Sequence, residues 1–209
     1  MTNRSFIFAL YSMEKTKAER TKELIISKSA PLFNKKGVAG TSMSDILEVT
    51  KLAKGSLYVH FENKEDLSLA VVDYHLQKLG AVVEGNMNKQ KTAKGKLFAY
   101  LDTFLDPLDP PLPGGCPMLN FGMEADDTNE TIRKKVNAMV EGAQHIIATI
   151  IKKGMASGEF VSDWDYREFA TKMFALVEGG VMMSRIAGNN KTMKVLVRVL
   201  KKEIEEKEK

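Results

Sequence analysis

The chain has 209 residues, 44% hydrophobic and 28% charged, which is enough apolar material for one large folded domain or two small ones. The formal net charge is +4, and residues 14–61 alone contain nine Lys or Arg against five Asp or Glu. The single cysteine, Cys116, excludes an internal disulfide framework and is typical of a reducing cytosol, so we expect a cytoplasmic protein.

The first dozen residues contain a short apolar run at positions 6–11. This run is too short to span a bilayer and lacks an A-x-A cleavage site, and no later segment is long and apolar enough to be a membrane span. We therefore expect residues 1–15 to be a disordered extension from an upstream start codon rather than a signal peptide. We also expect no membrane partner.

Helix signals begin at about residue 16. A first helix is predicted over residues 16–36, with Gly37 as its stop and a kink at Pro31, which removes one backbone hydrogen bond. Ser42 and Asp45 then form a capping-box pattern, which predicts the start of a short second helix. The inward-facing residues of these two helices are predicted to be Ile25, Ser29, Leu32, Phe33, Ile46 and Leu47.

A turn at residues 51–53 leads into a third helix over about residues 54–60, and Asn63 is placed to cap a long fourth helix. Two short helices joined by a three-residue turn, with a supporting helix before them, form a helix-turn-helix. Leu57 and Phe61 are four residues apart, so both can hold the third helix against the first two.

The third helix presents a polar face away from these two anchors. Its N-terminal end has short side chains, so a partner can approach the backbone closely, and the face also offers hydrogen-bond donors and an amphipathic phenol. These features are typical of a recognition helix in the major groove of DNA, and a solvated helix face is the ordinary alternative. The residues of this face are Lys54, Gly55, Ser56, Tyr58 and His60.

The run GTSMSDILEVTKLAKGSLYVHFENKEDL, residues 40–67, resembles the DNA-binding domain of TetR-family transcriptional repressors. The similarity covers about residues 20–70 and is most specific in the aromatic-histidine run and the lysine after it. GGCPMLNFGMEADD and FALVEGGVMMSRIAG are also similar to segments of many family members. The resemblance implies an all-α homodimer, with a helix-turn-helix DNA-binding domain over residues 16–65 and a helical ligand-binding and dimerisation domain over residues 66–209.

The resemblance also implies which residues contact double-stranded DNA. The polar face of the third helix would contact bases and phosphates, the second helix would contact the backbone, and Lys64 would contact a phosphate. Lys51 replaces the usual turn glycine, which would strain a left-handed conformation by about 1 kcal/mol, and Val59 replaces an often aromatic residue. The implied contacts outside the third helix are Ser42, Met43, Ser44 and Lys64.

The remainder of the chain is predicted to be helical, apart from a loop rich in proline and glycine at residues 106–117. The penultimate helix is expected to be capped by Ser162 or Asp163 and to end near Gly188. The predicted helices of this part cover residues 92–105, 118–125, about 128–157, about 163–188, and 191 onward.

Family members dimerise through their last two helices, and small and apolar residues at helical spacing favour the same arrangement here. The alternative is that this stripe packs within a single chain. The expected dimer interface consists of Val177, Gly180, Val181, Ser184, Leu196, Val199 and Leu200.

Methionines and aromatic residues are frequent in helices 5 to 8, and such side chains line adaptable apolar pockets. Plain core packing is the alternative for each of them. Asn120, Glu124 and His145 lie nearby without forming a recognisable binding signature, so we expect a small, largely apolar effector. The expected pocket residues are Tyr100, Phe104, Met118, Phe121, Met123, Met139, Trp164, Met173 and Phe174.

Signatures of enzymes are missing from the sequence. His60, His75 and His145 lack the spacing of a metal site, and no phosphate-binding glycine loop is present, so we expect neither catalysis nor a cofactor. Cys116 is either a redox-sensing thiol or a small residue at a loop-to-helix junction.

Two functions remain open. The first is a ligand-responsive repressor that binds a palindromic operator as a homodimer and is released by its effector. The second is a helical protein-interaction module whose helix-turn-helix no longer binds DNA.

Overall fold

The computed structural model describes residues 15–209, which are helical apart from connecting turns and one isolated antiparallel bridge between Phe160 and Glu208. The all-α prediction is confirmed. The expected N-terminal extension lies outside the described residues, except for Lys15. The helices of the described part are α1 (Lys17–Gly40), α2 (Met43–Thr50), α3 (Lys54–Tyr58), α4 (Lys64–Asn88), α5 (Ala93–Thr103), α6 (Pro117–Ala125), α7 (Glu130–Ala156), α8 (Tyr166–Ala187) and α9 (Lys191–Glu205).

Helix α1 begins with a capping box and is interrupted near its end by a glycine. Thr16 accepts a hydrogen bond from the Glu19 amide, and the Glu19 carboxylate accepts one from the Thr16 amide. Gly37 has φ 76° and ψ 174°, which only glycine adopts without strain, and it separates the main helix from a last short turn. The backbone dihedrals stay helical at Pro31, so the interruption lies at the predicted stop and not at the proline.

The predicted helix-turn-helix is formed by α2, α3 and the turn between them. The Ser42–Asp45 capping box is present, and Asn63 caps α4 by accepting from the amide of Asp66. Lys51 adopts a left-handed conformation with φ 58° and ψ 26°. The large buried side chains that pack this helix-turn-helix against α1 and the start of α4 are Ile25, Phe33, Ile46, Leu57, Phe61 and Leu67.

Helix α4 connects this unit to the rest of the chain. It has 25 residues and is therefore about 38 Å long at 1.5 Å per residue. Its buried side chains belong to one apolar core that continues from the helix-turn-helix into α5 to α9. Both ends of α4 are therefore packed in the same core.

The N-cap of α8 differs from the sequence prediction. Asp165, rather than Ser162 or Asp163, accepts hydrogen bonds from the amides of Arg167 and Glu168, so the helix begins at Tyr166. The predicted end is confirmed, since Gly188 closes the helix in a left-handed conformation with φ 65°.

The aromatic residues just before α8 explain why the cap lies later than predicted. Trp164 is buried with its ring edge-on to those of Phe160 and Phe169, at centroid distances of 5.1 and 4.8 Å. This cluster fixes the segment as a packed turn. A Cβ on Gly154 would come within 2.4 Å of the Phe160 ring, so glycine is required where α7 passes the cluster.

Candidate DNA-binding face and effector cavity

The polar face of α3 is open to solvent, as a surface that contacts a partner must be. The helix is two residues shorter than predicted, and Leu57 and Phe61 anchor it in the core. A Cβ built on Gly55 would meet no atom within 4 Å, so this side of the helix allows close approach. Among the residues predicted for this face, Lys54, Gly55, Ser56 and Tyr58 are exposed, and His60 is partly buried.

The two departures from the family pattern flank this face. Lys51 adopts the left-handed turn conformation that glycine usually provides, and its side chain is exposed. Val59 is 80% exposed immediately after α3, and an apolar side chain there is suited to contact a thymine methyl group. The turn is therefore intact, and the sequence reasoning missed Val59 as a candidate contact because only its exposure reveals it.

The start of α2 presents hydroxyl groups and a fixed charge pair. Ser42 and Ser44 are exposed and share a hydrogen bond of 2.9 Å between their hydroxyl oxygens, whereas Met43 is partly buried against the core. The amide of Ser42, then the ammonium of Lys36, lower the pKa of Asp45 to about 2. Asp45 therefore stays ionised and bonded to the Ser42 amide and to Lys36. The hydroxyl groups of the two serines are then the groups at this helix start that could contact a phosphate.

Lys64 has an internal role that the sequence did not reveal. Its ammonium nitrogen donates hydrogen bonds to the carbonyl oxygens of Val38 and Thr41, at 2.9 and 3.1 Å. The side chain thus ties the start of α4 to the α1–α2 junction. An ammonium has three N–H donors, so one remains for a phosphate.

Glu124, at the end of α6, binds the same junction from the other side. Its carboxylate oxygens accept hydrogen bonds from the amides of Val38 and Ala39, at 2.8 and 2.7 Å. A Cβ on Gly37 would come within 2.6 Å of this carboxylate, so the glycine provides the space as well as the turn. This contact joins residues 86 positions apart and has no signature in the local sequence.

The proline- and glycine-rich loop is tied down by three side chains from three helices. Asn34 of α1 donates to two loop carbonyls at 2.9 and 3.1 Å. Asn120 of α6 donates to the main-chain oxygen of Asn34 at 2.8 Å and to that of Gly114 at 3.1 Å. Arg185 of α8 donates to the carbonyls of Pro107 and Gly114, each at 3.0 Å. These bonds hold the loop at residues 106–117 against α1, α6 and α8, and we call this loop the strap.

An apolar cavity of about 220 Å³ lies among α4, α5, α6 and α7. Four of the residues predicted for the pocket line it: Tyr100, Phe104, Met118 and Met139. The other five do not line it. Phe121, Trp164, Met173 and Phe174 are buried elsewhere in the core, and Met123 is 68% exposed. The lining residues that the sequence did not indicate are Leu79, Gly80, Val83, Glu84, Met87, Gly142, Ala143 and Ile146.

A polar cluster of Tyr100, Cys116 and Glu178 lies within the apolar core near this cavity. The Cys116 thiol donates to a Glu178 carboxylate oxygen at 3.5 Å. Burial raises the pKa of Glu178 to about 7, against the opposing effect of the thiol. Burial, then the charge of Glu178, also raise the pKa values of Cys116 and Tyr100, so the thiol stays protonated and is a poor redox sensor.

The sequence reasoning missed Glu178 as a functional candidate. A signal was available, because this residue is a lone acid within the apolar run FALVEGGVMM. In such a run a charged residue is either exposed on one face of the helix or held in the core by specific partners.

The stripe predicted for the dimer interface packs largely within the chain. Val177, Val181, Ser184 and Leu200 are buried, Ser184 accepts a hydrogen bond from the amide of Met193, and Leu196 is partly buried. A Cβ on Gly180 would come within 3.0 Å of Met193 and Leu196, so its small size serves α8–α9 packing. Only Val199 is exposed. The exposed apolar side chains of α8 and α9 are instead Met182, Met183, Ile186, Val195 and Val199.

Two further properties concern residues 15–209. No helix in this range is both long and apolar enough to cross a membrane. The same range contains no group of three or more His, Cys, Asp or Glu side chains arranged to hold a metal ion.

Comparisons with known proteins bear on both halves of the chain. Residues 25–71 match the family of bacterial regulatory proteins named for tetR, and residues 93–200 match the tetracyclin repressor-like C-terminal domain. A curated relative, an HTH-type transcriptional regulator encoded in the lacX 3′ region of Lactococcus lactis, is 31% identical over 138 residues. That match covers 65% of this chain and 70% of the relative.

Solved structures give the same result over nearly the whole length. A TetR-family regulator from Cytophaga hutchinsonii is 37% identical with a TM-score of 0.87, covering 93% of this chain and 98% of that one. A TetR regulator from Chloroflexus aurantiacus is 36% identical with a TM-score of 0.86, covering 92% and 98%. Both structures therefore resemble this chain across its N-terminal helix-turn-helix and its helical C-terminal part. This chain therefore belongs to the TetR family of transcriptional regulators.

Proposed function

We propose that this chain is a ligand-responsive transcriptional repressor that binds a palindromic operator as a homodimer and is released by a small, largely apolar effector. The family match, the exposed face of α3 and the apolar cavity support this proposal. The observation that carries it is that α4 and α6 both line the cavity and both bind the DNA-binding unit.

Helix α4 makes the first of these connections. Leu79, Val83 and Met87 line the cavity. Fifteen residues before Leu79, which is about 22 Å along the helix, Lys64 bonds to the α1–α2 junction. Between these points His75 Nε2 bonds to the carbonyl oxygen of Ala30 at 2.7 Å. Burial lowers the pKa of His75, so the ring is neutral and the bond is a fixed contact between α4 and α1.

Helix α6 makes the second connection over a shorter distance. Met118 lines the cavity in the first turn, and Glu124 binds the Val38 and Ala39 amides in the last. An effector that displaces Met118 would move α6 and thereby the α1–α2 junction. A ligand shifts this equilibrium only by its differential affinity for the two states.

We place the entrance to the cavity between α4 and α7, where the exposed residues Glu84 and Ile146 lie on its wall. The loop at residues 106–117 is the other candidate entrance, because its prolines and glycines leave few backbone bonds to hold it shut, but Asn34, Asn120 and Arg185 hold it in place. Opening the strap would break several hydrogen bonds, whereas a ligand entering between α4 and α7 need only displace flexible side chains.

We place the dimer interface on the exposed apolar residues of α8 and α9. Met182, Met183 and Ile186 lie on one helix, and Val195 and Val199 on its neighbour, so two copies can meet as a four-helix bundle about a twofold axis. Such a dimer presents two copies of α3 to one face of the duplex, one or more helical turns apart.

DNA binding is tested by selecting duplexes from the sequence flanking the gene and footprinting the purified protein on them. The expected footprint is two symmetric half-sites. Binding to single asymmetric half-sites would contradict the dimer, and no specific binding would favour the protein-interaction alternative. Lys51 replaces the usual turn glycine, which would favour that alternative if the turn were lost, but Lys51 adopts the turn conformation that a helix-turn-helix requires.

Effector release is tested by titrating an effector with and without operator. Couplings of about 1–3 kcal/mol predict a roughly 5–150-fold loss of operator affinity, and operator must weaken effector binding by the same factor. Filling the cavity with Gly142→Leu should abolish the response and spare operator binding. Gly85→Leu is the matched control, because Gly85 is exposed on α4 and does not line the cavity. Equal effector affinities in both titrations would exclude this mechanism.

A further inference from the structure

One partly buried acid of α8, Glu178, has a carboxyl oxygen without a partner. Glu178 Oε2 is inaccessible to solvent and takes part in no hydrogen bond, while Oε1 accepts only the weak Cys116 thiol donor. In the described residues 15–209 no Lys or Arg pairs with Glu178. A buried carboxylate in this condition is unfavourable unless it is protonated or paired with a hydrogen-bonding cation.

Glu178 itself lines no cavity, but two of its polar neighbours do. Leu79 and Phe104 line the main cavity and also line a small void of about 10 Å³ that reaches Cys116. Tyr100 lines the main cavity as well, and the charge of Glu178 acts on its phenol. The thiol and the phenol are therefore the polar groups that link the carboxyl group of Glu178 to an otherwise apolar cavity.

No group in the described residues donates a hydrogen bond to the free oxygen. A void of about 10 Å³ holds at most about one water molecule. Arg185, seven residues later on α8, binds the loop instead, because its guanidinium donates to the carbonyls of Pro107 and Gly114. A ligand with a charged N–H donor would supply both the missing hydrogen bond and the missing charge.

We propose that the effector of this protein carries a protonated nitrogen on an apolar body, with Glu178 binding the ammonium or amidinium group and the cavity binding the apolar part. This inference rests on the proposed effector cavity and names the chemistry that it selects. When Glu178 is protonated beforehand, binding forms the ammonium–carboxylate pair and releases the carboxyl proton to solvent, so the charge and the proton are both accounted for.

The test is titration calorimetry with three probes of similar shape: 2-phenylethylammonium, 2-phenylethanol and 3-phenylpropionate. At pH 6.5 the wild-type protein should bind the ammonium at least about tenfold more tightly than the alcohol, because charge-assisted hydrogen bonds are the stronger kind. The measured heat should depend on the ionisation enthalpy of the buffer, which reports the released proton. The carboxylate probe should bind most weakly.

Three substitutions test whether Glu178 and the cavity are the groups that bind the ammonium probe. Glu178→Gln should weaken ammonium binding at least about tenfold and remove the buffer dependence, while leaving alcohol binding unchanged. Gly142→Leu should abolish binding of all probes, and Glu130→Gln, at an exposed acid on α7, should change nothing. If Glu178→Gln does not fold, the buffer dependence of the wild type decides alone.

Three results would overturn the inference: equal affinity for the ammonium and the alcohol, no ammonium binding by the wild type, or ammonium binding without proton release. These measurements contain no operator, so their failure is separate from failure of the proposed function. If the protein binds its operator and is released by a neutral effector, the proposed function stands and the proposal of a cationic effector is refuted.

Discussion

Replacing Glu124 by glutamine tests whether α6 holds the DNA-binding unit in place. The substitution keeps the shape of the side chain, but the new amide has one oxygen acceptor and turns an NH₂ group toward the Val38 or Ala39 amide. Hydrogen bonds to charged groups contribute about 1.5–3 kcal/mol, and one of the two amides is exposed, so we expect a loss of about 2 kcal/mol. For a chain of this length that corresponds to a fall in Tm of about 4–8 °C.

The assay is urea unfolding followed by the fluorescence of Trp164, at one fixed protein concentration because the proposed dimer would dissociate as it unfolds. Glu130→Gln is the control, since Glu130 pairs with Lys134 on an exposed helix face and should change stability by less than about 0.5 kcal/mol. Glu124→Gln should also reduce the effect of an effector on operator affinity. Equal stability of the two variants, with an unchanged effector response, would refute a structural link through α6.

Four other substitutions test separate parts of the molecule. Lys51→Gly should stabilise the protein by about 0.5–1 kcal/mol, because glycine relieves the left-handed strain; an unchanged urea midpoint would mean that Lys51 is unstrained. Lys64→Ala should lower the slope of log affinity against log salt by about one if its third donor reaches a phosphate, and an unchanged slope would restrict Lys64 to its internal bonds. Glu178→Gln should become increasingly more stable than the wild type as pH rises from 4.5 to above 7. The pKa of the wild-type Glu178 carboxyl group is raised to about 7, so its contribution to the free energy of unfolding is fully present below pH 4.5 and falls by about 3 kcal/mol as the pH rises through 7. Stability curves of the two proteins that run parallel across this range would contradict that pKa. Met182→Glu should dissociate the dimer in sedimentation experiments while the exposed Met123→Glu should not, and a dimeric Met182→Glu protein would place the interface elsewhere.

The helix-turn-helix could be predicted from the sequence because its determinants are local. The Ser42 and Asn63 caps each act over three residues, and Leu57 and Phe61 are placed on one side by the helical period alone. Such patterns depend on neighbours along the chain, so they survive without knowledge of the rest of the fold. The same reasoning placed the end of α8 at Gly188, where a left-handed residue is needed.

The packing partner of each apolar face was decided by the tertiary structure. Helix α8 is apolar on two faces, and the sequence cannot distinguish Val177 and Val181, which are buried, from Met182 and Ile186, which are exposed. Periodicity identifies a stripe but not what covers it. The small-residue dimer seam predicted at Gly180 stays a prediction, while within the chain the space beside Gly180 is occupied by Met193 and Leu196.

The functional connections were also decided by the tertiary structure, because they join residues that are distant in sequence. Glu124 binds amides 85 and 86 residues away, Asn34 binds a loop about 80 residues away, and Cys116 meets Glu178 across 62 residues. Each contact depends on helices that meet only when the core forms. The sequence by itself thus determined where the DNA-binding helices begin and end, whereas packing determined which side chains form the cavity, tie the strap and connect both to the DNA-binding unit.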